Sequence, residues 1–361
     1  TDWCYISGSP NPPIGNQVKH LLIIFSIFLF SFISISCTSS SSSSSTTSTD
    51  NTTTTGLFVT VGWEGTILTS SDGISWTSRT SGISKLLNGV TYGNNTFVTV
   101  GNSGTILTSP DGNSWTKRTS VTSKSLVGVT YGNGLFVTVG LSGTILTSPD
   151  GTTWTERTSG ISKSLREVTY GNGLFVTVGL SGTILTSSDG TTWTERTSGI
   201  SKSLRGVTYG NGLFVTVGYW GSSGIIFTSP DGITWTERNS GTSLYLLGVT
   251  YGNGLFVTVG SDGYSGTIFT SSNGTTWTER TSGTSDNLSN VTYGNSTFVT
   301  VGSSGVILTS PDGTTWTERT YGTFENLHGV TYGNGLFVTV GNLGNIYTSS
   351  DGTSWTTRTT G

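Results

Sequence analysis

Residues 128–157 read GVTYGNGLFVTVGLSGTILTSPDGTTWTER, and this stretch recurs with small changes from residue 56 onward. Its apolar segments are rich in Val, Ile, Thr, Tyr and Phe, which favour strands. Gly, Asn, Asp and Pro separate those segments and favour turns. The unit therefore predicts four short strands, A to D, at residues 128–131, 135–139, 144–147 and 153–157.

The word Asp-Gly-x-x-Trp marks the period of the repeat. Successive copies start 39 or 42 residues apart, at Asp72, Asp111, Asp150, Asp189, Asp231, Asn273, Asp312 and Asp351. A fixed period near 40 with strands throughout is typical of a β-propeller, with one four-stranded blade per repeat. Strands B and C carry apolar residues on both faces, as expected for a sheet covered on both sides by neighbouring blades.

The number of copies predicts the number of blades. Strands B, C and D each occur eight times, whereas the strand A word Val-Thr-Tyr-Gly-Asn occurs seven times and is missing from the first copy. Residues 50–55 stand in its place, and we expect them to form a degenerate inner strand. The sequence thus predicts an all-β, eight-bladed propeller of four-stranded antiparallel blades. Seven blades with a partial unit is the alternative.

Composition excludes several classes of protein. Only 10% of residues are charged and 53 of 361 are Gly, which argues against a helical bundle or coiled coil. A formal charge of −3 gives no broad attraction to nucleic acid. The sequence has two His and shows no Cys/His ligand cluster and no phosphate-binding glycine loop before a helix. We therefore expect no metal, no cofactor and no nucleic-acid partner.

The N-terminal part has a different character. Residues 1–17 fit no targeting pattern, whereas Lys19 and His20 precede an apolar run at residues 21–35. That arrangement is typical of a secretory signal, and the run is short for a membrane-spanning helix. Residues 33–37, ISISC, resemble a bacterial lipobox, although Ser34 stands where Leu is commonest. The resemblance implies lipidation of Cys37.

These features divide the chain into four parts. Residues 1–17 form an unassigned leader, and residues 18–37 form the signal with its lipobox. Residues 38–55, mostly Ser and Thr, form a flexible tether and the degenerate strand. The propeller occupies residues 56–361. We expect a protein held outside the cytoplasm by a lipid anchor, with secretion as the alternative.

The repeated word resembles a known motif. Residues 148–154, SPDGTTW, resemble the Asp-box of sialidases and other BNR-repeat propellers, with one residue fewer between Asp and Trp. The repeats are also similar to the propellers of the photosystem II stability/assembly factor family. The resemblance implies that the box lies at the C–D turn, on the face away from any ligand.

The repeated residues are predicted to be structural, since each blade carries one copy. Asp and Asn accept turn N–H groups, Gly allows a left-handed residue, and Trp packs between blades. The Arg of Trp-Thr-x-Arg is expected to be a solvated or Glu-paired charge of little weight. The Trp residues of the word are Trp76, Trp115, Trp154, Trp193, Trp235, Trp277, Trp316 and Trp355.

Function is expected where the copies differ, in the B–C loops and the D–A connections, which share one face of a propeller. Cationic residues gather in the earlier connections, and acidic or aromatic residues in the later ones. Exposed aromatic and charged loop residues are typical of binding sites. The candidate ligand-binding residues are Trp63, Glu64, Arg166, Arg205, Tyr219, Trp220, Asp262, Tyr264, Phe324 and Glu325.

Two function classes remain. The first is a non-catalytic recognition or scaffold propeller, expected to be a monomer, that binds a glycan on Trp220 or Tyr264, or a protein across the two-signed face. The second is a sialidase-like glycosidase, for which the resemblance implies an arginine trio, a Tyr–Glu nucleophile pair and an acid Asp at one asymmetric site. Near-identical repeats argue against such a site, and the Phe-Arg-Ile-Pro word of many sialidases is absent. We therefore predict no catalytic residues.

Overall fold

Each repeat folds into one four-stranded antiparallel sheet because its strands are apolar on both faces. In strand B of the third repeat, Phe136, Val137, Thr138 and Val139 are all fully buried. Neighbouring sheets cover both sides, so alternation between a wet and a dry face is lost. Burial of each Phe or Val contributes roughly 1.5–3 kcal/mol, so packing between sheets holds the fold together.

The computed structural model describes residues 35–37, 56–221, 223–239, 245–263, 265–319 and 324–359. For residues 35–37 and 220 only the backbone is described.

The strands of each blade follow one another in sequence from the centre of the ring outward. Blades 1 to 4 are formed by β1 (Ile35–Cys37), β2 (Phe58–Val61), β3 (Ile67–Ser70) and β4 (Thr77–Arg79); β5 (Leu87–Gly93), β6 (Thr96–Gly101), β7 (Thr105–Ser109) and β8 (Thr116–Lys117); β9 (Leu126–Gly132), β10 (Leu135–Gly140), β11 (Ile145–Ser148) and β12 (Thr155–Arg157); and β13 (Leu165–Gly171), β14 (Leu174–Gly179), β15 (Ile184–Ser187) and β16 (Thr194–Arg196).

The second half repeats this order. Blades 5 to 8 are formed by β17 (Ser203–Gly210), β18 (Leu213–Trp220), β19 (Ser223–Ser229) and β20 (Thr236–Arg238); β21 (Tyr245–Gly252), β22 (Leu255–Ser261), β23 (Gly266–Ser271) and β24 (Thr278–Arg280); β25 (Leu288–Gly294), β26 (Thr297–Gly302), β27 (Ile307–Ser310) and β28 (Thr317–Glu318); and β29 (Leu327–Gly333), β30 (Leu336–Gly341), β31 (Ile346–Ser349) and β32 (Thr356–Arg358).

The B–C connections take two forms. In blades 5 and 6 the insertions that give the 42-residue spacings extend strands B and C into a longer hairpin. Trp220 pairs with Ser223 in blade 5, and Ser261 pairs with Gly266 in blade 6. The other six blades have a three-residue 3₁₀ turn, at Trp63–Gly65, Asn102–Gly104, Leu141–Gly143, Leu180–Gly182, Ser303–Gly305 and Asn342–Gly344.

The chain is therefore an eight-bladed β-propeller, and the seven-blade alternative is wrong. Among the described residues, one apolar cluster lies between each pair of neighbouring blades. The cluster that joins the last blade to the first contains Phe58, Leu68 and Trp76 with Val338 and Val340. The ring thus closes by packing between complete blades.

The inner strand of blade 1 comes from an unexpected segment. β1 pairs with β2 in the register Cys37↔Phe58, which matches Tyr92↔Phe97 in blade 2. Ile35-Ser36-Cys37 therefore takes the place of Val-Thr-Tyr. The expected inner strand at residues 50–55 lies outside the described residues, and the position beside β2 is occupied by β1 instead. The sequence had placed residues 35–37 at the end of a signal.

The C–D turns have the hydrogen bonds that the repeated word predicts. In blade 7, Asp312 Oδ1 accepts the N–H groups of Thr314 (2.8 Å) and Thr315 (3.1 Å). The Trp316 indole N–H donates to the Gly313 carbonyl at 3.1 Å. Asn273 accepts the equivalent two N–H groups at 2.9 and 3.0 Å. Hydrogen bonds to the carboxyl group hold the pKa of each turn Asp below its ordinary value. The hydroxyl of the Thr two residues later contributes most at Asp150, Asp189 and Asp312, and the backbone N–H groups contribute most at the other four Asp residues.

The expectation for the repeated Arg is wrong, because these side chains join strand D to strand C. Arg157 Nε donates to Thr147 Oγ1 at 2.8 Å, and Thr147 is buried. The same bond, at 2.7–2.8 Å, occurs in every blade. Each Arg lies on the short outer strand D and donates a hydrogen bond to a buried Thr hydroxyl of strand C, which a purely solvated charge would not do.

The inner strands fit together through Tyr and Gly. The ring of Tyr170 in blade 4 lies against Gly132 of blade 3, where an added Cβ would come within 2.3 Å of the Tyr170 Cγ. Tyr170 also packs on Phe175 of its own blade, with ring centroids 4.7 Å apart. The repeated Tyr therefore packs between neighbouring inner strands, and glycine is required by space at this position.

The turn geometry generates a prediction with an internal control. Asp312→Ala removes the acceptor for two backbone N–H groups, and we expect it to lower the free energy of unfolding by about 1–2 kcal/mol. Asp312→Asn keeps the acceptor, as Asn273 does, so its cost should be about 0.5 kcal/mol or less. Urea denaturation at pH 7 measures both.

Acid provides the second readout of the same pair. A carboxyl whose folded pKa is lowered stabilises above its unfolded pKa and loses that contribution as pH falls through the folded value. The difference in unfolding free energy between Asp312→Ala and the parent should therefore become smaller as the pH falls toward 2. An equal cost for the Ala and Asn variants would contradict this role for the carboxyl.

Candidate functional site

The B–C connections and the D–A connections meet on one face, as the sequence predicted. The residue after strand B donates its N–H to the end of the preceding D–A connection, as in Leu141 N to Ser125 O and Asn342 N to Asn326 O, both 2.9 Å. We call this the variable face. The A–B and C–D turns meet on the opposite face, where Asn295 Nδ2 donates to Ser350 O at 3.1 Å.

A β-bulge occurs at the variable-face end of each inner strand from blade 2 to blade 8. The pairing between strands A and B slips there by one residue, for example between Leu165 and Glu167. A bulge redirects a side chain and is common beside functional sites. The bulged residues form a ring around the centre, which we call the bulge ring. Their residue type differs from blade to blade, except that blades 4 and 5 both have Arg: Asn88, Val127, Arg166, Arg205, Leu247, Ser289 and His328.

Each polar member of this ring that bonds within its blade contacts the residue fourteen positions later, at the base of the B–C connection. Asn88 Nδ2 donates to Asn102 Oδ1 at 3.1 Å, and His328 Nε2 contacts Asn342 Oδ1 at 2.7 Å. In blade 5, Arg205 Nη2 donates to the Tyr219 hydroxyl. The bulge therefore links the centre of the ring to the variable face.

Three of the candidate residues come together between blades 4 and 5. Arg166 and Arg205 hold the same position on adjacent inner strands, and the Arg205 guanidinium lies 5.0 Å from the centroid of the Tyr219 ring. Tyr219 in turn meets Tyr245 edge-on at 4.7 Å. Burial and the charge of Arg205 lower the pKa of Arg166, so the two cations affect each other.

Glu167, beside this cluster, replaces a glycine of the repeat. The equivalent position is Gly128 in blade 3 and Gly206 in blade 5. Glu167 Oε2 accepts the Val207 N–H of the next blade at 3.1 Å. The Glu167 side chain is exposed at the surface, yet the protein atoms around it desolvate its carboxyl group. This desolvation raises the pKa of Glu167, and the Val207 bond opposes the rise.

Two further candidates, Trp63 and Phe324, lie at blades 8 and 1, together with Leu343, which was not among the candidates. Trp63 is 53% exposed, and Phe324 and Leu343 are 90% and 88% exposed. Leu343 has φ 57°, a left-handed conformation that Leu rarely adopts and that Ser holds in most other blades. An exposed, conformationally costly Leu is typical of a residue kept for contact with a partner.

The remaining candidates lie apart from one another. Glu64 lines an open groove of about 680 Å³ with Arg79, Lys85 and Lys117, at the outer side of blades 1 and 2. Asp262 Oδ1 accepts the Ser265 N–H in the blade 6 connection, and Glu325 lies in the connection into blade 8. Tyr264 and the Trp220 side chain lie outside the described part of the chain.

The charges follow the predicted division of the face. Lys85, Lys124, Lys163 and Lys202 occupy the connections into blades 2 to 5, and Lys202 pairs with Glu237 at 3.4 Å. Asp262, Asp286 and Glu325 belong to blades 6 to 8. Within the described ranges, no group of three His, Cys, Asp or Glu could hold a metal ion. In that same part of the chain, no helix is long and apolar enough to cross a membrane.

Known proteins share this architecture. A family model described as the DUF6242 beta propeller domain matches residues 248–361. YCF48 bound to a D1 peptide is 19% identical, with a TM-score of 0.57 over 73% of this chain and 90% of that one. These similarities confirm the propeller. No curated protein matches the chain significantly.

Two further solved structures extend the similarity to unrelated roles. The computationally designed protein Ika8 is 13% identical, with a TM-score of 0.66 over 91% of this chain and 97% of its own. Virginiamycin B lyase from Staphylococcus aureus is 14% identical, with a TM-score of 0.62 over 72% of this chain and 93% of its own. At these identities the likeness extends to the fold alone.

Sequence reasoning missed several residues of the face. Leu343 and Val121 were not candidates, although comparison with Ser in the other B–C turns singles out Leu343. Tyr245 and His328 were not candidates either, because only the fold brings them to Tyr219 and Asn342. The bulge that redirects Arg166 and Arg205 adds no residue to the repeat, so the sequence carries no spacing signal for it.

Glu167 generates a pH prediction. A carboxyl whose folded pKa is raised favours the folded state below its unfolded pKa, and that stability is lost as pH rises through the folded value. Glu167→Gln removes the titration and keeps the shape. We expect the variant to gain stability over the parent at pH 8, and the gain to shrink at pH 5, in urea denaturation. Equal differences at both pH values would contradict the assignment.

Proposed function

We propose that this propeller is a recognition module that binds a protein ligand across its variable face and catalyses no reaction. The observation that carries the proposal is the placement of exposed apolar side chains. Among the described residues, six large apolar side chains are more than half exposed: Trp63, Ile74, Val121, Ile233, Phe324 and Leu343. Four of them lie on the variable face, and the three on blades 8 and 1 include the two most exposed.

Protein interfaces favour this combination of features. Exposed aromatic and aliphatic side chains at the centre of a patch supply most of the binding free energy, and charged residues around them select the partner. We expect Trp63, Phe324 and Leu343 to supply binding free energy, and the cationic connections of blades 2 to 5 to select the partner. The D1 peptide bound to YCF48 is a precedent for a polypeptide ligand on this fold.

A sialidase-like activity finds less support. Its candidate carboxyl groups, Glu64, Glu167 and Asp262, belong to blades 1, 4 and 6, and Glu325 precedes blade 8. Most retaining and inverting glycosidases use two carboxyl groups about 5–10 Å apart across one bond, whereas sialidases use a Tyr nucleophile. Glu167, which follows Arg166 in the chain, accepts a backbone N–H, and the inner strand Leu165–Gly171 carries no other carboxyl group.

The protein-ligand proposal is tested by comparing the two faces. We call the exposed side chains of Trp63, Phe324 and Leu343 the apolar patch. Trp63→Ala, Phe324→Ala and Leu343→Ser remove it, and Leu343→Ser installs the residue that four other B–C turns have at this position. Ile74→Ala and Ile233→Ala are the controls, since both side chains are as exposed as Trp63 but lie in C–D turns on the opposite face. Photo-cross-linking from positions 63 and 324 in cells should capture a discrete protein, which the patch variants lose and the controls retain.

Other outcomes have definite meanings. Cross-links from positions 74 and 233 that equal those from 63 and 324 would contradict a dedicated face. Specific glycan-array binding that Trp220→Ala abolishes, without protein cross-links, would favour a glycan ligand. Turnover of a fluorogenic sialoside that falls in Glu167→Gln would overturn the non-catalytic role.

We propose further that the chain works outside the cytoplasm, anchored through Cys37. The supporting feature is the cationic and apolar segment that ends in ISISC. The lipobox and β1 compete for the same residues, since cleavage before Cys37 removes Ile35 and Ser36 from blade 1. The anchored chain and the chain with β1 paired are therefore mutually exclusive.

Intact-mass measurement of the native protein tests the anchor. We expect a mature chain that begins at a lipidated Cys37, and Cys37→Ser should leave the precursor unprocessed. A native chain that retains residues 35–37 without lipid would contradict the anchor and leave β1 in place.

A further inference from the structure

The two Arg residues of the bulge ring have no counterpart in the other blades. The same position holds Asn88, Val127, Leu247, Ser289 or His328, so neither the fold nor the bulge requires a cation there. The two Arg residues are moreover consecutive, in blades 4 and 5, which places two positive charges next to each other at one side of the ring.

Their surroundings hold them in place without neutralising them. The Nε atoms of Arg166 and Arg205 are shielded from solvent and have no hydrogen-bond partner. Arg205 is oriented by the Tyr219 hydroxyl and by the Tyr219 ring, and Tyr245 supports that ring from blade 6. Two adjacent guanidinium groups repel each other, and among the described residues no carboxylate forms an ion pair with either, so their position side by side points to an anion supplied from outside the chain.

The electrostatics agree with this interpretation. Guanidinium groups stay protonated, so the repulsion between Arg166 and Arg205 persists at neutral pH. Within the described residues neither Arg forms an ion pair. The adjacent carboxyl, Glu167, is directed to the Val207 N–H, and desolvation favours its neutral form.

We propose that Arg166, Arg205 and Tyr219 form a binding site for a doubly charged oxyanion, a phosphate or sulfate group, at the variable-face end of the inner ring between blades 4 and 5. Two guanidinium groups supply two positive charges, which a dianion neutralises and a carboxylate only halves. The planar fork of each Arg suits two oxygens of such a group, and charge-assisted bonds of this kind are the strong ones.

The site is independent of the protein-binding patch, because the patch lies on blades 8 and 1. Either proposal can therefore fail without the other. The oxyanion could be a free ion or a group carried by a larger ligand, and both share the same recognition chemistry.

Calorimetric titration of the full chain tests the site, at constant ionic strength, with inorganic phosphate, sulfate, O-phosphoserine and acetate. Arg166→Leu and Arg205→Leu are the test variants, since Leu247 occupies the same position in blade 6. Lys163→Leu is the control, an exposed cation on the same face. Thermal unfolding confirms that each variant is folded.

We expect saturable binding of the dianions that each Arg variant weakens by about tenfold to a hundredfold, as loss of a charge-assisted bond implies. Lys163→Leu should bind as the parent does. O-phosphoserine binding at least as tight as inorganic phosphate would identify a ligand-borne group, and weaker binding a free ion.

Three results would overturn the proposal. The first is the absence of saturable binding, and the second is equal loss of affinity in Lys163→Leu. The third is acetate binding as tight as sulfate, because it would show that the site selects a carboxylate. Non-specific stabilisation by sulfate is separated by its persistence in the Arg variants.

Discussion

The close approach of neighbouring inner strands is the constraint on which the propeller depends. A tyrosine ring of one blade rests against a glycine of the blade before it, as Tyr170 does on Gly132, and no larger residue fits. This contact sets the spacing of the blades at the centre, and the fully buried Phe and Val of strand B fill the space outside it. Each blade can therefore repeat nearly the same sequence, and eight copies close into a ring by packing alone.

In a ring built from repeats, the residues that differ between copies lie where packing between blades does not restrict the side chain. The C–D turns are the same in every blade, because a side-chain oxygen of Asp or Asn accepts hydrogen bonds from two backbone N–H groups of the turn. The variable face has no such common requirement, and it carries the cation pair, the redirected bulge residues and the apolar patch with its left-handed Leu343. At the inner strands, Glu167 in blade 4 places a carboxyl group where most other blades have glycine.

The strands, the turns and the blade number could be predicted because each depends on residues within one repeat. The Arg157–Thr147 bond joins strands whose pairing had to be known first. β1 escaped prediction since three residues, Ile35 to Cys37, match Val-Thr-Tyr only in register and also end an apolar run. Alignment of the repeats does place Arg166 and Arg205 in one position of adjacent blades, but their shielded Nε atoms depend on the bulge and on Tyr219, which only the fold brings together.

Closure of the ring through β1 is the central structural claim for the chain that retains residues 35–37, and hydrogen exchange of the full, uncleaved chain tests it most directly. With β1 paired, strand β2 (Phe58–Val61) is an interior strand, like its equivalent β10 (Leu135–Gly140) in blade 3. The two strands should then exchange their amide hydrogens with similar protection, and peptides covering Ile35–Cys37 should be protected with them. Rapid exchange of β2 at the level of an unpaired edge, with β10 still protected, would contradict the closed eight-bladed ring.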